Sequence, residues 1–271
     1  MHKKVKKFYE VDGFDYGYRR WRRFPTSRFD YKSTKNMIQQ YLGKYHFHRA
    51  LEIGCGPGTW TEILKKYVDN ITAIDISSTM IRNAKNVVKD RNVSFITSDF
   101  MEFENDKTYD LIITIRVFEY ISNKEMFLEK CYKILSPKGK LLIVTKTKKS
   151  YWYGKSKIRS ILKKITPFLF YFEIAKNSTE EPVKTPKFYQ ERISVNNSIK
   201  LLRQIGFNNF SINPVILRPP LFMRGKSEIP VIPPFLEVPL LNLFYLFDNI
   251  FQNNHRFTIF AESYLIWSEK N

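Results

Sequence analysis

The chain has 271 residues, 43% of them hydrophobic and 16% aromatic, which suits one domain with a full core and excludes a disordered polymer. Lysine and arginine number 45 against 26 aspartates and glutamates, a formal net charge of +19. That excess suits nucleic acid, an anionic membrane surface or an acidic substrate, but a lysine-rich compositional bias would produce it too, so it selects no partner. The two cysteines, Cys55 and Cys131, fall on separate predicted elements; one disulfide is open to them, a disulfide framework is not.

The first residues, Met1 to Lys7, are charged but no apolar run follows them, so no secretory signal is expected and a cytoplasmic location is. Residues 1–47 read as an aromatic and basic cap, helical or irregular, with Tyr9, Phe14, Tyr16, Tyr18, Trp21 and Phe24 prominent. From Arg49 short apolar runs alternate with amphipathic stretches. Strands are predicted at Ala50–Ile53, Ile71–Asp75, Val93–Thr97, Leu111–Ile115 and Leu141–Thr145. Helices are predicted over Thr59–Val68, through Met80, Ile81 and Ala84, and over Lys124–Leu135. Buried β-branched strands joined by helices imply an α/β fold with a doubly wound, parallel sheet.

After Thr145 the rhythm breaks. A helix is predicted at Ser194–Ile205, capped by Gly206, with strands near Phe210–Leu217 and Thr258–Trp267. Two long insertions, at about 146–186 and 218–255, interrupt the unit 48–271; connections of that length commonly serve as lids or binding elements.

The most specific feature is the turn Glu52-Ile53-Gly54-Cys55-Gly56-Pro57-Gly58. Glycines there let the backbone turn tightly and approach a ligand, with the N-terminus of the next helix aimed at the same space. A dinucleotide site wants G-x-G-x-x-G, and its third glycine would fall at Thr59. Asp75, ending the second strand, could bind ribose hydroxyls in either kind of site.

Leu51 to Gly58, Ala73-Ile74-Asp75-Ile76-Ser77 with Met80, Phe95 to Phe100, Tyr109 to Thr114 and Leu135 to Leu141 stand in the order and register of a known set of motifs. Over about residues 48–146 the chain resembles the class I S-adenosylmethionine-dependent methyltransferases, in the small-molecule branch called type 11 or type 12. The resemblance implies a Rossmann-like, mostly parallel seven-stranded sheet with helical lid insertions, and S-adenosylmethionine as cofactor. It implies that Gly54, Gly56 and Gly58 pack under the cofactor, with Glu52 and Arg116 counted among its binding residues. Asp75 would take the ribose diol, Asp99 the adenine amino group, the Phe100 N–H a ring nitrogen, and Ile76 and Met80 the faces of the adenine.

Many relatives carry a histidine after strand four. This chain has Arg116-Val117-Phe118-Glu119-Tyr120, so Tyr120, at about that position, and Glu119 beside it are the candidate catalytic residues. The usual histidine base is absent, and methyl transfer does not always need one. His46 and His48 would share one side of a strand, but no further ligand lies near in sequence and no metal is expected. Without Asn-Pro-Pro-Tyr or Asp-Pro-Pro-Tyr after strand four, base-amino methylation is disfavoured, and neither cysteine sits where a cytosine-attacking nucleophile belongs.

Both insertions should hang over the carboxyl ends of the strands, where ligands bind in such sheets. The first carries Tyr151-Trp152-Tyr153 and then a basic amphipathic stretch through Ile158, Ile161, Leu162 and Ile165; the second, Phe235–Phe251, is nearly all apolar yet too short and polar to span a bilayer. A small-molecule acceptor, lipophilic or in peripheral contact with a membrane, is expected. The alternative is an RNA methyltransferase or RNA-binding protein using the basic Lys146–Lys164 cluster.

Overall fold

The computed structural model describes residues 2–13, 15–148, 191–218 and 234–271. Three helices, α1 (His2–Asp12), α2 (Tyr16–Trp21) and α3 (Pro25–Leu42), precede the sheet. Then come β1 (Phe47–Ile53), α4 (Thr61–Leu64), β2 (Val68–Asp75), α5 (Ser78–Val87), β3 (Val93–Thr97), β4 (Tyr109–Ile115), α6 (Lys124–Ile134) and β5 (Leu135–Lys146). The carboxyl-terminal part adds α7 (Val195–Ile205), β6 (Phe207–Val215), α8 (Pro234–Phe251) and β7 (Ser263–Lys270).

The seven strands form one sheet in the order β3-β2-β1-β4-β5-β7-β6. Pairing is parallel from β3 to β5, whereas β7 runs antiparallel to both β5 and β6. Because successive strand side chains face opposite ways, Leu111 and Ile113 enter one core while Ile112 enters the other. The first core packs under α3 and α8 through Met37, Ile38, Leu42 and Leu241. The second packs under α6 and α7 through Phe127, Leu128, Cys131 and Leu202. Both cysteines are free and buried.

Capping residues read from the sequence punctuate the helices. Gly206 ends α7 at φ +113°, its N–H shared by the Leu202 and Arg203 carbonyls, a conformation glycine reaches without a Cβ penalty. Ser77 opens α5 by accepting the Met80 N–H at 3.2 Å.

Three boundaries differ from expectation. The helix predicted over Thr59–Val68 is only Thr61–Leu64, because Val68–Asn70 pair with β1 and extend β2 backwards. A four-residue helix carries little dipole, so the turn's own N–H groups matter more than a helix terminus. The sixth strand is Phe207–Val215 rather than Phe210–Leu217. The last strand begins at Ser263 instead of Thr258: Asn254 and Thr258 bond back onto their own turn, closing a 3-10 helix at His255–Ile259. The basic amphipathic stretch of the first insertion lies outside the described residues, as do 219–233 of the second.

The expected boundary at 47 falls on the first residue of β1, and the cap is helical. Helix α3 is part of the core, while α1 reaches across to α5. There the Glu10 carboxylate accepts the Ser78 N–H at 2.9 Å, the Thr79 N–H at 3.1 Å and both hydroxyls. Asn83 Nδ2 donates to the Gly13 carbonyl at 2.5 Å, tying the end of α1 to the same helix.

Candidate active site

A cleft of about 970 Å³, part of it open to solvent, lies at the carboxyl ends of β1, β2 and β4 beneath α1 and α2. The turn after β1 forms its floor. The N–H groups of Gly54 and Cys55 both donate to the Ile74 carbonyl, at 2.8 and 3.0 Å, drawing the turn over β2. At Gly54, φ +74°, a Cβ would stand 2.1 Å from Val117 Cγ2. At Gly56, φ +53°, a Cβ would meet nothing within 4 Å and would project into open space.

Asp75 lies at the turn's open edge. Its Oδ2 accepts the Gly56 N–H and its Oδ1 the Ser77 N–H, both at 2.9 Å. Burial pushes its carboxyl up to about 6, and these two bonds hold it from going further. Each oxygen retains acceptor capacity toward the cleft. Ile76, Met80, Asp99 and Phe100 line the same wall; Asp99 also closes its own turn by accepting the Met101 N–H at 3.0 Å. Gly54, Gly56, Arg116 and Tyr120 complete the expected residues that reach the cleft.

Three expected residues stand behind it. Glu52 is 2% exposed and accepts the Thr61 hydroxyl at 2.6 Å, and burial pushes it up to about 8. Gly58 presses against Ala84 and Val88 of α5, where a Cβ would have 3.2 Å or less to the nearest atoms. Glu119 accepts the Thr145 hydroxyl at 3.0 Å and lies 3.7 Å from the Arg116 guanidinium; it turns away from the cleft because the buried β5 edge offers it partners. His46 Nε2 and His48 Nδ1 both bond Asp69, at 2.7 and 2.8 Å, at the amino end of the sheet, remote from the cleft.

The roof carries residues whose positions the sequence did not reveal. Val5, Tyr9, Tyr16 and Trp21 face the cleft from α1 and α2. The Tyr9 phenol is hydrogen-bonded to Tyr16 and Tyr120; burial first, then these neighbours, push it far above the tyrosine range. Tyr16 is pushed up by burial, with Arg20 opposing. Arg116 sits at φ +65°, a backbone strain that clusters at functional sites, and donates its N–H to the Val144 carbonyl at 2.8 Å and its guanidinium to Ser263.

Comparison with known proteins gives the family. The family profile described as a methyltransferase domain matches residues 51–143. A malonyl-[acyl-carrier protein] O-methyltransferase of Ilyobacter polytropus is 34% identical over 192 residues, covering 66% of this chain and 73% of the relative. The chain belongs to the class I, type 11 S-adenosylmethionine-dependent methyltransferases.

Other similarities are shorter or structural. A ubiquinone biosynthesis O-methyltransferase of Rickettsia akari is 33% identical over 126 residues, 44% of this chain, and the match spans only half of that relative. The fold of magnesium protoporphyrin IX methyltransferase from Synechocystis, solved with bound S-adenosylhomocysteine, superposes with a TM-score of 0.60 at 12% identity, covering 100% of this chain and 99% of that one. Within this methyltransferase, the empty approach at Gly56 and the two-oxygen face of Asp75 suit a ribosyl sulfonium cofactor, so the residues present fit the group the family uses.

Proposed function

We propose that this methyltransferase transfers the methyl group to an oxygen of a small-molecule acceptor with an apolar body. The observation that carries this reading is that one cleft joins the Gly56–Asp75 floor to an aromatic roof of Tyr9, Tyr16, Trp21 and Tyr120. S-adenosylmethionine supplies an electrophilic methyl group on a sulfonium sulfur. Asp75 holds the ribose hydroxyls, Asp99 and Phe100 the adenine edge, and Ile76 and Met80 its faces. Gly54 and Gly56 admit the cofactor's backbone-side contacts, while Glu52 and Gly58 brace the turn from behind. The roof orients the acceptor and keeps water out, and alignment of that kind can remove about 7–11 kcal/mol of a barrier. Tyr120 contacts the acceptor, and Glu119 acts as a positioning residue for Arg116. Residues 1–47 form the cap and 48–271 the methyltransferase unit. The names of the Ilyobacter and Rickettsia relatives, both O-methyltransferases, support an oxygen acceptor.

A second reading, peripheral contact with a membrane, has one observation in its favour. The outer face of α8 is apolar and open, with Phe235 and Ile250 77% and 69% exposed. No helix among the described residues is long and apolar enough to cross a membrane.

The test is transfer from methyl-tritiated S-adenosylmethionine to a cell extract. Label in small molecules extracted by organic solvent is the expected result. Label released by ribonuclease would overturn the reading in favour of an RNA acceptor. Flotation with liposomes of anionic lipid, tested with and without Phe235→Ser and Ile250→Ser, decides the membrane reading.

A further inference from the structure

Helix α8 turns its charges inward. Its two acids, Glu237 and Asp248, are both buried. They share the inward side with Leu241, part of the core, and Asp248 accepts the Leu217 N–H at 2.8 Å. The outward stripe is Phe235, Pro239, Leu243, Leu246 and Ile250, spaced by three or four residues so that all lie on one side of the helix. Phe235, Leu243, Leu246 and Ile250 are each 60% exposed or more, and Val238 and Phe247 are open beside them. Asn242 is the polar residue of this face, and no charged side chain of α8 is exposed. Large apolar residues exposed elsewhere, such as Val87, Ile96 and Met126, stand singly on other elements. A helix on the surface of a soluble domain turns its apolar stripe inward, so α8 carries a second, uncovered stripe about 27 Å long.

Its neighbours supply cations. Helix α3 lies against α8, with the Phe29 and Tyr245 rings 6.0 Å apart and Asn36 Nδ2 donating to Asn249 Oδ1 at 2.9 Å. Lys32 Nζ stands 3.9 Å over the Tyr245 ring, along one edge of the stripe. Exposed Arg28 and half-buried Lys35 lie one turn to either side of Lys32 on α3. The one acid of α3, Asp30, is buried and accepts from Arg218 at 2.8 Å. At the carboxyl end of α8 the Phe251 and Phe257 rings are 4.4 Å apart, which brings in exposed Ile259 and Arg256 from the 3-10 helix.

This edge chemistry separates the occupants that such a stripe admits. A second copy related by a two-fold axis would set the same cations against each other, on a chain whose formal net charge is already +19. A protein partner commonly makes about one hydrogen bond per 100–200 Å² of interface, and the stripe offers it the Asn242 side chain alone. An anionic bilayer meets neither obstacle. Acyl chains take the apolar side chains, and headgroup phosphates and carboxylates take the lysines and arginine.

We infer that α8 lies flat in the headgroup region of an anionic bilayer, its outward stripe toward the acyl chains and Arg28, Lys32 and Lys35 among the headgroups. This rests on the membrane reading above and names the surface that docks and the lipid charge it selects. The inward turn of Glu237, Asp248 and Asp30 belongs to the same device, since an acid on this face would be repelled by those headgroups.

The test is sedimentation of the full chain with vesicles of phosphatidylcholine, either pure or with a third of the lipid replaced by phosphatidylserine. Binding is expected to the phosphatidylserine vesicles, and at least about tenfold weaker binding to the neutral ones. Leu246→Asn with Ile250→Asn should weaken binding at least about tenfold, because two aliphatic side chains no longer leave water. Lys32→Gln should weaken binding to phosphatidylserine vesicles about fivefold and leave the neutral ones unchanged. These substitutions alter exposed side chains, so urea unfolding should match the wild type and S-adenosylhomocysteine affinity should stay within about twofold. If the wild-type chain binds neither vesicle, the membrane reading itself falls. If it binds both equally, or if Leu246→Asn with Ile250→Asn binds unchanged, this inference alone is overturned. A dimer in analytical ultracentrifugation that the same two substitutions dissolve would give the stripe to a second copy and overturn it as well.

Discussion

Replacing Glu52 by glutamine should remove most of the stability that the chain loses between pH 6 and pH 8. Glu52 is fully enclosed under the glycine turn, and burial pushes its carboxyl from 4.5 up to about 8, against the opposing bond from Thr61. A group whose folded value is raised binds its proton more tightly in the folded state. Its stabilisation is therefore complete below the unfolded value and is lost as pH rises through the folded one. The whole interval is worth about 5 kcal/mol, at about 1.4 kcal/mol per pH unit. Between pH 6 and 8 the loss should be roughly 2–3 kcal/mol. That window is clean. Asp75 and Asp248, both pushed up to about 6 by burial, have exerted most of their effect below it. Lys146, lowered to about 8 by burial, acts above it and with the opposite sign, since its folded form binds the proton less tightly. The glutamine amide oxygen can still accept the Thr61 hydroxyl, so the variant keeps the contact and loses the titration. Urea unfolding of both proteins at pH 6, 7 and 8 measures the difference. If the two lose the same stability to within about 0.5 kcal/mol, Glu52 is charged throughout and the reasoning from burial is wrong.

The glycines of the turn should separate fold from function. Gly54→Ala should cost about 2–4 kcal/mol of stability, from the positive φ and the 2.1 Å approach to Val117, and Gly54→Ala with Val117→Ala should recover part of it in urea unfolding. Gly56→Val, with nothing within 4 Å of its Cβ, should cost only about 1–2 kcal/mol yet lower S-adenosylhomocysteine affinity by about a hundredfold in calorimetry. Glu10→Ala removes four hydrogen bonds from the start of α5, an exposed cap worth about 1 kcal/mol; it should speed proteolysis within residues 1–13, weaken S-adenosylhomocysteine binding several-fold and lower global stability in urea by no more than about 1 kcal/mol.

Much of the fold was legible because its signals are local. Apolar runs such as Leu111–Ile115 are too hydrophobic for any position but a covered strand, and the αL cap at Gly206 needs only its own backbone. The strand ends were less legible. Val68–Asn70 read as the end of a helix, and only the neighbouring β1 makes them strand. Of the candidate site, the residues spaced along one turn or one strand end could be picked out together, because a single segment carries Gly54, Gly56 and Gly58 and another carries Asp75 and Ile76.

What the sequence by itself determined is the donor side: a parallel sheet, a glycine turn without the third glycine of a dinucleotide site, and acids at 75 and 99. What only tertiary structure decided is what roofs the cleft and which charges gather beside it. Tyr9, Tyr16 and Tyr120 meet across more than a hundred residues, as do Arg20, Arg116, Lys146 and Glu262, and nothing in their spacing announces it. The same packing turns Glu119 away from the cleft and puts Glu52 beneath the turn instead of on it. The physical reason is one of range. A turn's conformation is set by its own residues, whereas the charge and protonation of a buried group are set by whatever the folded chain brings within a few ångströms of it.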